Sequence, residues 1–312
     1  MTIAFLFPGQ GAQYIGMGKE LYNSYGIVKK TFDQADEILG EALSELIFNG
    51  SERDLMKTEN TQPGILTLST AIARLLESLG VSPSISAGLS LGEYGALTFS
   101  GVIHFESSLP LVRKRGQIMQ EAVPAGKGGM AAIIGLDEQK LKACLSDAGQ
   151  DGLVQIANYN CPGQLVISGD IGSVNKACKL TKLAGAKRAI PLQVSGPFHS
   201  SLLRPAGERL IKELDKIELA SGRIPVVANV TAKPTKTTSE VKDLLIKQVS
   251  NPVKWEDSIR YILSTGVDTF IEMGPGRALS GFMRKIDRTA KVFNVEDIKT
   301  LESTLHKLEG RQ

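Results

Sequence analysis

The pentapeptide Gly-Leu-Ser-Leu-Gly at residues 88–92 constrains the fold of this chain more than any other feature, because a strand pattern precedes it and a helix pattern follows it. Residues 84–87 alternate in polarity, which is typical of a short strand, and residues 93–97 begin a helical pattern. A serine in such a tight strand-to-helix turn projects its hydroxyl beyond the edge of a sheet, and the glycines leave room where a Cβ would collide. Ser90 is therefore predicted to be a nucleophile, the alternative being a small-residue turn with an incidental serine.

Strand and helix patterns alternate along most of the 312 residues, which predicts an α/β fold with a mostly parallel sheet. A fully apolar strand is predicted at residues 3–7. A helical apolar face at residues 65–79 ends at Gly80, a residue type that commonly follows the last turn of a helix. Further elements are predicted as strands at residues 225–228, 269–272 and 292–295 and as helices at residues 109–123 and 296–308.

The sequence changes character near residue 126, where the glycine-rich residues 125–129 indicate a flexible join. Strand and helix patterns then follow in the order β-α-β-β-α-β over about 70 residues, which is typical of a ferredoxin-like unit. The strands are predicted at residues 130–134, 154–157, 164–168 and 187–192, and the helices at residues 138–148 and 173–184. We therefore expect a large α/β-hydrolase-like domain of residues 1–125 and 197–312, with a ferredoxin-like subdomain of residues 126–196 inserted into it.

Composition excludes several classes of protein. A net charge of +3 is too small to indicate nucleic-acid binding, although it allows a local basic patch for an acidic partner. The three cysteines, Cys144, Cys161 and Cys178, have no metal-ligand spacing, so they are expected to be buried, reduced thiols of a cytoplasmic protein. The apolar segment at the N-terminus is too short for a signal peptide or a membrane span. A monomer is the expected oligomeric state.

A serine nucleophile needs a base, and the chain has three histidines. His306 lies among lysines and glutamates of the terminal helix pattern, and His104 lies in a loop pattern that favours a structural role. His199 follows a Gly-Pro turn where the chain re-enters the large domain, and such a loop suits chemistry better than packing. His199 is therefore the predicted base. No acidic residue between Ser90 and His199 lies in an obvious loop motif, so a backbone carbonyl or side-chain amide is expected to orient the histidine, giving a dyad.

Arg115 occupies the apolar face of the helix predicted at residues 109–123, whereas Arg113 and Lys114 are expected to point into solvent. Burying a guanidinium without a partner is costly, and its fork of donors is suited to a carboxylate. The pattern therefore indicates a buried cation that receives an anion. An internal salt bridge or a side chain that reaches solvent at the helix edge would explain the same pattern.

Motifs in addition to the pentapeptide identify a known family. They are Phe-Pro-Gly-Gln-Gly-Ala-Gln at 7–13, Thr-Gln-Pro at 61–63, Gly-Leu-Ser-Leu-Gly-Glu-Tyr at 88–94, Arg-Gly at 115–116, Asn-Tyr-Asn-Cys-Pro-Gly-Gln at 158–164, Gly-Pro-Phe-His-Ser at 196–200, Gln-Val-Ser-Asn-Pro-Val at 248–253 and Gly-Pro-Gly at 274–276. With these motifs the chain resembles, over essentially its whole length, the malonyl-CoA:acyl carrier protein transacylases of bacterial fatty-acid synthesis.

The resemblance implies a ping-pong transfer from malonyl-CoA to holo acyl carrier protein through a malonyl ester on Ser90, without a metal or redox cofactor. His199 would act as general base and then as acid, and Arg115 would bind the free malonyl carboxylate. The remaining site residues implied by the resemblance are Gln10 and Leu91, whose backbone N–H groups would form the oxyanion hole, Gln248, whose main-chain carbonyl would hold His199, and Asn160 and Gln62, near the acyl pocket.

One residue departs from the family pattern. Family members usually carry histidine immediately before the nucleophile, where this chain has Leu89. Leu89 changes the polar lining of the pocket near Ser90, whereas the predicted base is His199, so activity is expected to survive. Two other functions fit parts of the sequence. A serine thioesterase or esterase would use the same turn and pass the acyl group to water, and a non-catalytic subunit would bind CoA or the carrier without reacting.

Overall fold

The computed structural model of the protein describes residues 1–124, 126–194 and 196–310. In this part of the chain the strands are β1 Ile3–Phe7, β2 Ile85–Gly88, β3 Gly128–Ile134, β4 Val154–Cys161, β5 Gln164–Asp170, β6 Arg188–Pro191, β7 Val226–Val227, β8 Thr269–Met273 and β9 Lys291–Val295. The α-helices are α1 Lys19–Ser24, α2 Gly26–Leu39, α3 Leu43–Asn49, α4 Glu52–Leu55, α5 Thr58–Ser78, α6 Leu91–Ser100, α7 Phe105–Glu121, α8 Glu138–Ala148, α9 Ile171–Leu183, α10 Arg204–Leu214, α11 Thr238–Gln248, α12 Trp255–Ser264, α13 Ala278–Ile286 and α14 Ile298–Glu309.

The larger sheet has the strand order β7-β2-β1-β8-β9, and its neighbouring strands pair in parallel. Alternate residues of β1 face opposite sides: Phe5 and Phe7 belong to one buried apolar cluster, and Ala4 and Leu6 to another. Both faces are therefore covered, as expected for a parallel sheet whose strands are uniformly apolar. The predicted α/β class with a parallel sheet is confirmed.

The smaller sheet has the order β4-β5-β3-β6 with antiparallel pairs, and α8 and α9 pack against it. This is the predicted β-α-β-β-α-β arrangement. Strand β4 continues to Cys161, beyond the predicted end at residue 157, because residues 158–161 still pair with β5. Val253 adds two backbone bonds, donating to the Ala157 carbonyl and accepting from Tyr159. The exact domain boundaries at residues 125, 126, 196 and 197 stay a prediction.

The predicted join at residues 125–129 differs from the structure in one respect. Gly128 and Gly129 already belong to β3 and pair with β5, so only the first part of this segment connects the two sheets. Ala125, Ser195 and residues 311–312 of the predicted domains lie outside the described residues.

Helix α5 begins at Thr58, seven residues before the predicted start at residue 65, and includes Pro63. A proline inside a helix cannot donate to the carbonyl four residues earlier. Here that carbonyl belongs to Glu59, and it accepts a hydrogen bond from Nε of Arg113 at 3.4 Å. The arginine supplies the missing donor, which the local pattern of residues 61–63 could not reveal.

No helix among the described residues is long and apolar enough to cross a membrane. Cys144, Cys161 and Cys178 are free and buried, as the sequence predicted.

Candidate active site

The turn at Ser90 is held in a backbone conformation that few residues adopt. Ser90 has φ 54° and ψ −104° between β2 and the first residue of α6. A Cβ on Gly88 would lie 1.9 Å from the backbone of Gly92, and a Cβ on Gly92 would lie 2.0 Å from the carbonyl oxygen of Phe7. Both glycines are therefore required by close backbone approach, as the sequence predicted.

Asn229 clamps this turn from the end of the neighbouring strand β7. Its Oδ1 accepts from the backbone N–H of Ser90 at 2.7 Å, and its Nδ2 donates to the Gly88 carbonyl at 2.7 Å. These two bonds give the strained turn hydrogen-bond partners that its own conformation does not provide. Asn229 is 1% exposed and was not identified from the sequence. The sequence did contain a signal for it. Asn229 directly follows the strand predicted at residues 225–228, and the carboxyl ends of parallel strands lie at the same sheet edge as Ser90.

His199 contacts the serine hydroxyl directly. Its Nε2 lies 2.8 Å from Ser90 Oγ, and its Nδ1 lies 2.8 Å from the main-chain carbonyl oxygen of Gln248. A carbonyl can only accept, so Nδ1 donates and Nε2 keeps the lone pair that can take the serine proton. The expected dyad with a backbone orienter is therefore the arrangement found, and Gln248 supplies the carbonyl.

Burial controls the charge of the histidine. His199 is 3% exposed, and burial together with the nearby Arg115 cation lowers its pKa to about 4. The imidazole is therefore neutral at pH 7 and ready to act as a base. His104 and His306 do not line the cavity that contains Ser90. His104 is an exposed residue that immediately precedes α7.

Arg115 lies on the buried face of α7, 1% exposed. Its Nη1 donates to Gln62 Oε1 at 2.9 Å, and its Nη2 donates to Gln248 Oε1 at 2.9 Å and to Ser90 Oγ at 3.2 Å. The guanidinium also lies over the ring of Tyr94, 5.1 Å from the centroid. Burial lowers the pKa of Arg115. Within residues 1–124, 126–194 and 196–310 no carboxylate forms a salt bridge with it, so the internal-salt-bridge alternative is not supported.

The prediction that Arg113 points into solvent is wrong. It pairs with the carboxylate of Glu41, and its side chain is only 17% exposed. The reason is tertiary, because α7 packs against α5, whose Glu59 carbonyl accepts from Arg113 Nε. Lys114 is partly exposed.

A cleft of about 250 Å³ opens between the two sheets, and seven of the eight predicted site residues line it. They are Ser90, His199, Arg115, Gln10, Leu91, Asn160 and Gln62. The eighth, Gln248, is fully buried behind the cleft wall. Leu89 lies in the wall at the position where the family usually has histidine. The buried Oδ1 of Asn160 has no hydrogen-bond partner in the described part of the chain, so it can bind a group that enters the cleft.

Glu93 completes the hydrogen-bond network behind Ser90. It is 3% exposed, and its Oε2 accepts from Gln248 Nε2 at 2.7 Å and from the backbone N–H of Asn229 at 3.1 Å. Burial raises its pKa to about 7, although its hydrogen bonds and the Arg115 cation oppose that shift. The sequence prediction did not single out Glu93. The signal was a carboxylate immediately before residues 94–97, which carry no charge.

Comparison with known proteins shows which family the chain belongs to. Residues 4–303 match the family described as the acyl transferase domain. The chain belongs to this acyl transferase family. The resemblance inferred from the motifs is thereby confirmed for almost the whole chain.

Curated relatives within this family have similar lengths. The chain is 48% identical over 308 residues to the malonyl CoA-acyl carrier protein transacylase of Bacillus subtilis, covering 98% of this chain and 97% of the relative. It is 44% identical over 284 residues to the enzyme of the same name from Escherichia coli K12, covering 91% of this chain and 92% of the relative.

Solved structures have the same fold. The malonyl CoA-acyl carrier protein transacylase of Clostridium perfringens superimposes with a TM-score of 0.96 at 47% identity, covering 99% of this chain and 98% of that one. A malonyl-transacylase in complex with its type II PKS acyl-carrier protein superimposes with a TM-score of 0.96 at 40% identity, covering 98% of this chain and 100% of that one.

Proposed function

We propose that this acyl transferase moves a malonyl group from malonyl-CoA to the pantetheine thiol of holo acyl carrier protein, through a malonyl ester on Ser90. One observation carries the choice of acyl group. The buried guanidinium of Arg115 has an Nη2 atom 3.2 Å from the nucleophilic oxygen and no carboxylate partner among the residues described. A carboxylate two carbons beyond the reacting carbonyl is the group that such a cation would bind. The names of the relatives agree with this assignment.

In the first half-reaction Ser90 Oγ attacks the thioester carbonyl of malonyl-CoA while its proton passes to His199 Nε2. The carbonyl oxygen becomes an oxyanion, for which the backbone N–H groups of Gln10 and Leu91 are the proposed donors. Leu91 is the first residue of α6, where N–H groups without intrahelical partners and the positive end of the helix dipole favour an anion. The C–S bond then breaks, and the CoA thiol leaves with the proton held by His199.

The second half-reaction reverses these steps with the carrier thiol as nucleophile. His199 takes the thiol proton, sulfur attacks the ester carbonyl, and the C–O bond to Ser90 breaks as His199 returns the proton to Oγ. The acyl group moves from a thioester to an ester and back to a thioester, with no oxidation or reduction. No step requires a metal or redox cofactor.

The same geometry gives a reason for acyl selectivity. A malonyl carboxylate would form a bidentate charge-assisted pair with Arg115, whereas an acetyl group would leave the cation buried without an anion. A lost hydrogen-bond partner of this charged kind costs about 2–4 kcal/mol in discrimination. The carboxylate would also fill the space next to Ser90 and thereby hinder water from reaching the ester.

Transfer to a thiol distinguishes this proposal from the thioesterase alternative. Incubating the protein with malonyl-CoA alone is expected to give a stable malonyl adduct detected by intact mass, with CoA released in a burst of about one equivalent. Adding holo acyl carrier protein should then discharge the adduct and produce malonylated carrier. Continuous hydrolysis of malonyl-CoA without the carrier would support a thioesterase, and the absence of any adduct would support a non-catalytic binding subunit.

The pH dependence of acylation tests the role of His199. The group must be neutral to accept the serine proton, so the rate falls as pH decreases through its pKa. Since that pKa is lowered to about 4, kcat/KM is expected to stay constant from pH 8 to about pH 5. The measurement should use acetyl-CoA, whose acyl group has no titrating carboxylate. A decline centred near 6.5, the value of an unperturbed histidine, would contradict the lowered pKa of His199.

An acidic carrier protein is expected to bind near basic residues at the cleft. Helix α13 contributes Ala278, Leu279 and Phe282 to the cleft wall, and Arg284 and Lys285 are exposed on its next turn. The sequence predicts two basic clusters for this contact: Arg284 and Lys285 together with Arg288, and Lys187 with Arg188, all of them exposed. Which of these clusters contacts the carrier stays a prediction, as do the monomeric state, the cytoplasmic location and the absence of nucleic-acid binding.

A further inference from the structure

Glu93 is a buried carboxylate that the reaction described above does not use. It lies in the first turn of α6, three residues after the nucleophile, and does not line the cleft. Burying an ionisable group costs free energy unless its partners compensate. The hydrogen-bond partners of Glu93 therefore indicate its role.

The side-chain amide of Gln248 connects this carboxylate to the substrate-binding cation. Its Nε2 donates to Glu93 Oε2 at 2.7 Å and to the Ser90 carbonyl at 2.9 Å. Its Oε1 accepts from Arg115 Nη2 at 2.9 Å. Both ends of the Gln248 amide therefore have hydrogen-bond partners: the NH2 group faces acceptors, and the oxygen faces a donor.

An ionised carboxylate can only accept hydrogen bonds, and a guanidinium can only donate them. Glu93 and the Ser90 carbonyl therefore both require the NH2 end of Gln248 to face them, which leaves the amide oxygen facing Arg115. If the amide were rotated by 180°, its NH2 group would face the guanidinium and its oxygen would face the carboxylate. Neither of those contacts is a hydrogen bond.

We propose that Glu93 is a positioning residue for acyl selection, because its carboxylate, together with the Ser90 carbonyl, holds the NH2 end of the Gln248 amide and through that amide the Arg115 guanidinium that receives the substrate carboxylate. This inference rests on the proposed function. Glu93 touches neither substrate nor reacting atoms. Its effect is confined to how well the cation is placed, so it should influence malonyl transfer more than transfer of an acyl group that has no carboxylate.

A pH-dependent signature follows from the same contacts. The ionisable groups that interact with Glu93 are Arg115 from α7 and Tyr94 from its own helix, and both stay protonated near pH 7, since burial raises the pKa of Tyr94 to about 12. Glu93, with a pKa raised to about 7, gains a proton as pH falls through neutrality. Protonation removes the negative charge from Glu93, so its hydrogen bond from Gln248 Nε2 weakens and the amide is held less firmly against Arg115.

The test compares kcat/KM for malonyl-CoA and acetyl-CoA as a ratio, measured from pH 6 to 8. The protonation state of His199 affects both substrates and cancels in the ratio. In the wild type we expect the malonyl-to-acetyl ratio to fall as pH decreases through about 7. In Glu93→Gln the ratio should be lower by about tenfold and independent of pH, mainly through a higher KM for malonyl-CoA, because a charged hydrogen-bond partner has been lost.

Two further variants separate positioning from folding. Glu93→Asp keeps an acceptor-only carboxylate and should recover part of the ratio lost in Glu93→Gln. Glu272→Gln is the matched control: Glu272 is fully buried and accepts from the N–H groups of Leu279 and Ser280 at the start of α13, so its loss should lower the Tm and leave the ratio at the wild-type value.

The outcomes are separable. A Glu93→Gln ratio equal to that of the wild type overturns the role of Glu93 while Ser90 still forms its malonyl ester. Where Glu93→Gln does not fold, Glu93→Asp decides the question: its shorter carboxylate should give a ratio below the wild-type value, and an equal ratio overturns the role. Failure of the wild type to form the ester would overturn both proposals.

Discussion

Ser90→Ala is expected to form no covalent malonyl adduct, and its rate of malonyl transfer should fall by at least about 10⁴-fold, as for other enzymes that lose a serine nucleophile. Ser90 Oγ is the atom within 2.8 Å of the imidazole, and alanine leaves His199 without a hydroxyl to deprotonate. The measurement is intact mass after brief exposure to malonyl-CoA, followed by peptide mapping of the adduct in the wild type.

Ser86→Ala provides a matched control for this variant. Ser86 lies in the preceding strand β2, is fully buried, and its Oγ has no hydrogen-bond partner in the part of the chain that the structure describes. Its removal should leave the adduct unchanged. An adduct that persists in Ser90→Ala, or one that maps to another residue, would refute the proposed nucleophile.

Arg115→Ala is expected to lower kcat/KM for malonyl-CoA by roughly 30- to 1,000-fold, which corresponds to about 2–4 kcal/mol at 1.36 kcal/mol per factor of ten. Transfer of acetyl should fall less or even increase, because the variant no longer buries a cation without an anion beside that acyl group. Arg115→Lys would keep a charge but lose the fork that binds both carboxylate oxygens, so an intermediate loss is expected. Parallel kinetics with the two CoA esters measure these effects.

Arg113→Ala controls for the loss of an arginine from the same helix. Arg113 pairs with Glu41 and lies outside the cleft, so its removal should leave the malonyl-to-acetyl ratio unchanged. Equal losses for both acyl groups in Arg115→Ala would argue against carboxylate pairing and favour a structural role. A thermal denaturation curve for each variant shows that the comparison concerns folded protein.

The hydrogen-bond network behind Ser90 also explains why Arg115 can stay charged when it is buried. Gln62 and Gln248 supply neutral acceptors, Tyr94 supplies an aromatic face, and the carboxylate of Glu93 lies one amide away. Neutral partners solvate the cation without neutralising it. A direct salt bridge would compete with the substrate for the same donors, so this arrangement favours binding of an anion from outside.

Local sequence patterns were sufficient to predict the elements that depend only on residues close together in the chain. The apolar run of β1, the strand before Ser90 and the glycines at 88 and 92 follow from the rules of strands and tight turns, and the structure places them as expected. The start of α5 could not be predicted in this way. Pro63 is tolerated there because a side chain from another helix supplies a donor to the Glu59 carbonyl.

In the candidate site, too, some residues could be predicted from the sequence and others only from the structure. Residue chemistry alone selected Ser90, His199 and Arg115, because a nucleophile, a base and a buried cation are each conspicuous within their own segments. Only the folded chain decided that Asn229 bonds to the turn at Ser90 and that Glu93 bonds to Gln248, since those contacts join residues 139 and 155 positions apart. Hydrogen bonds between such distant residues depend on how strands and helices pack, and no local pattern of side chains encodes that geometry.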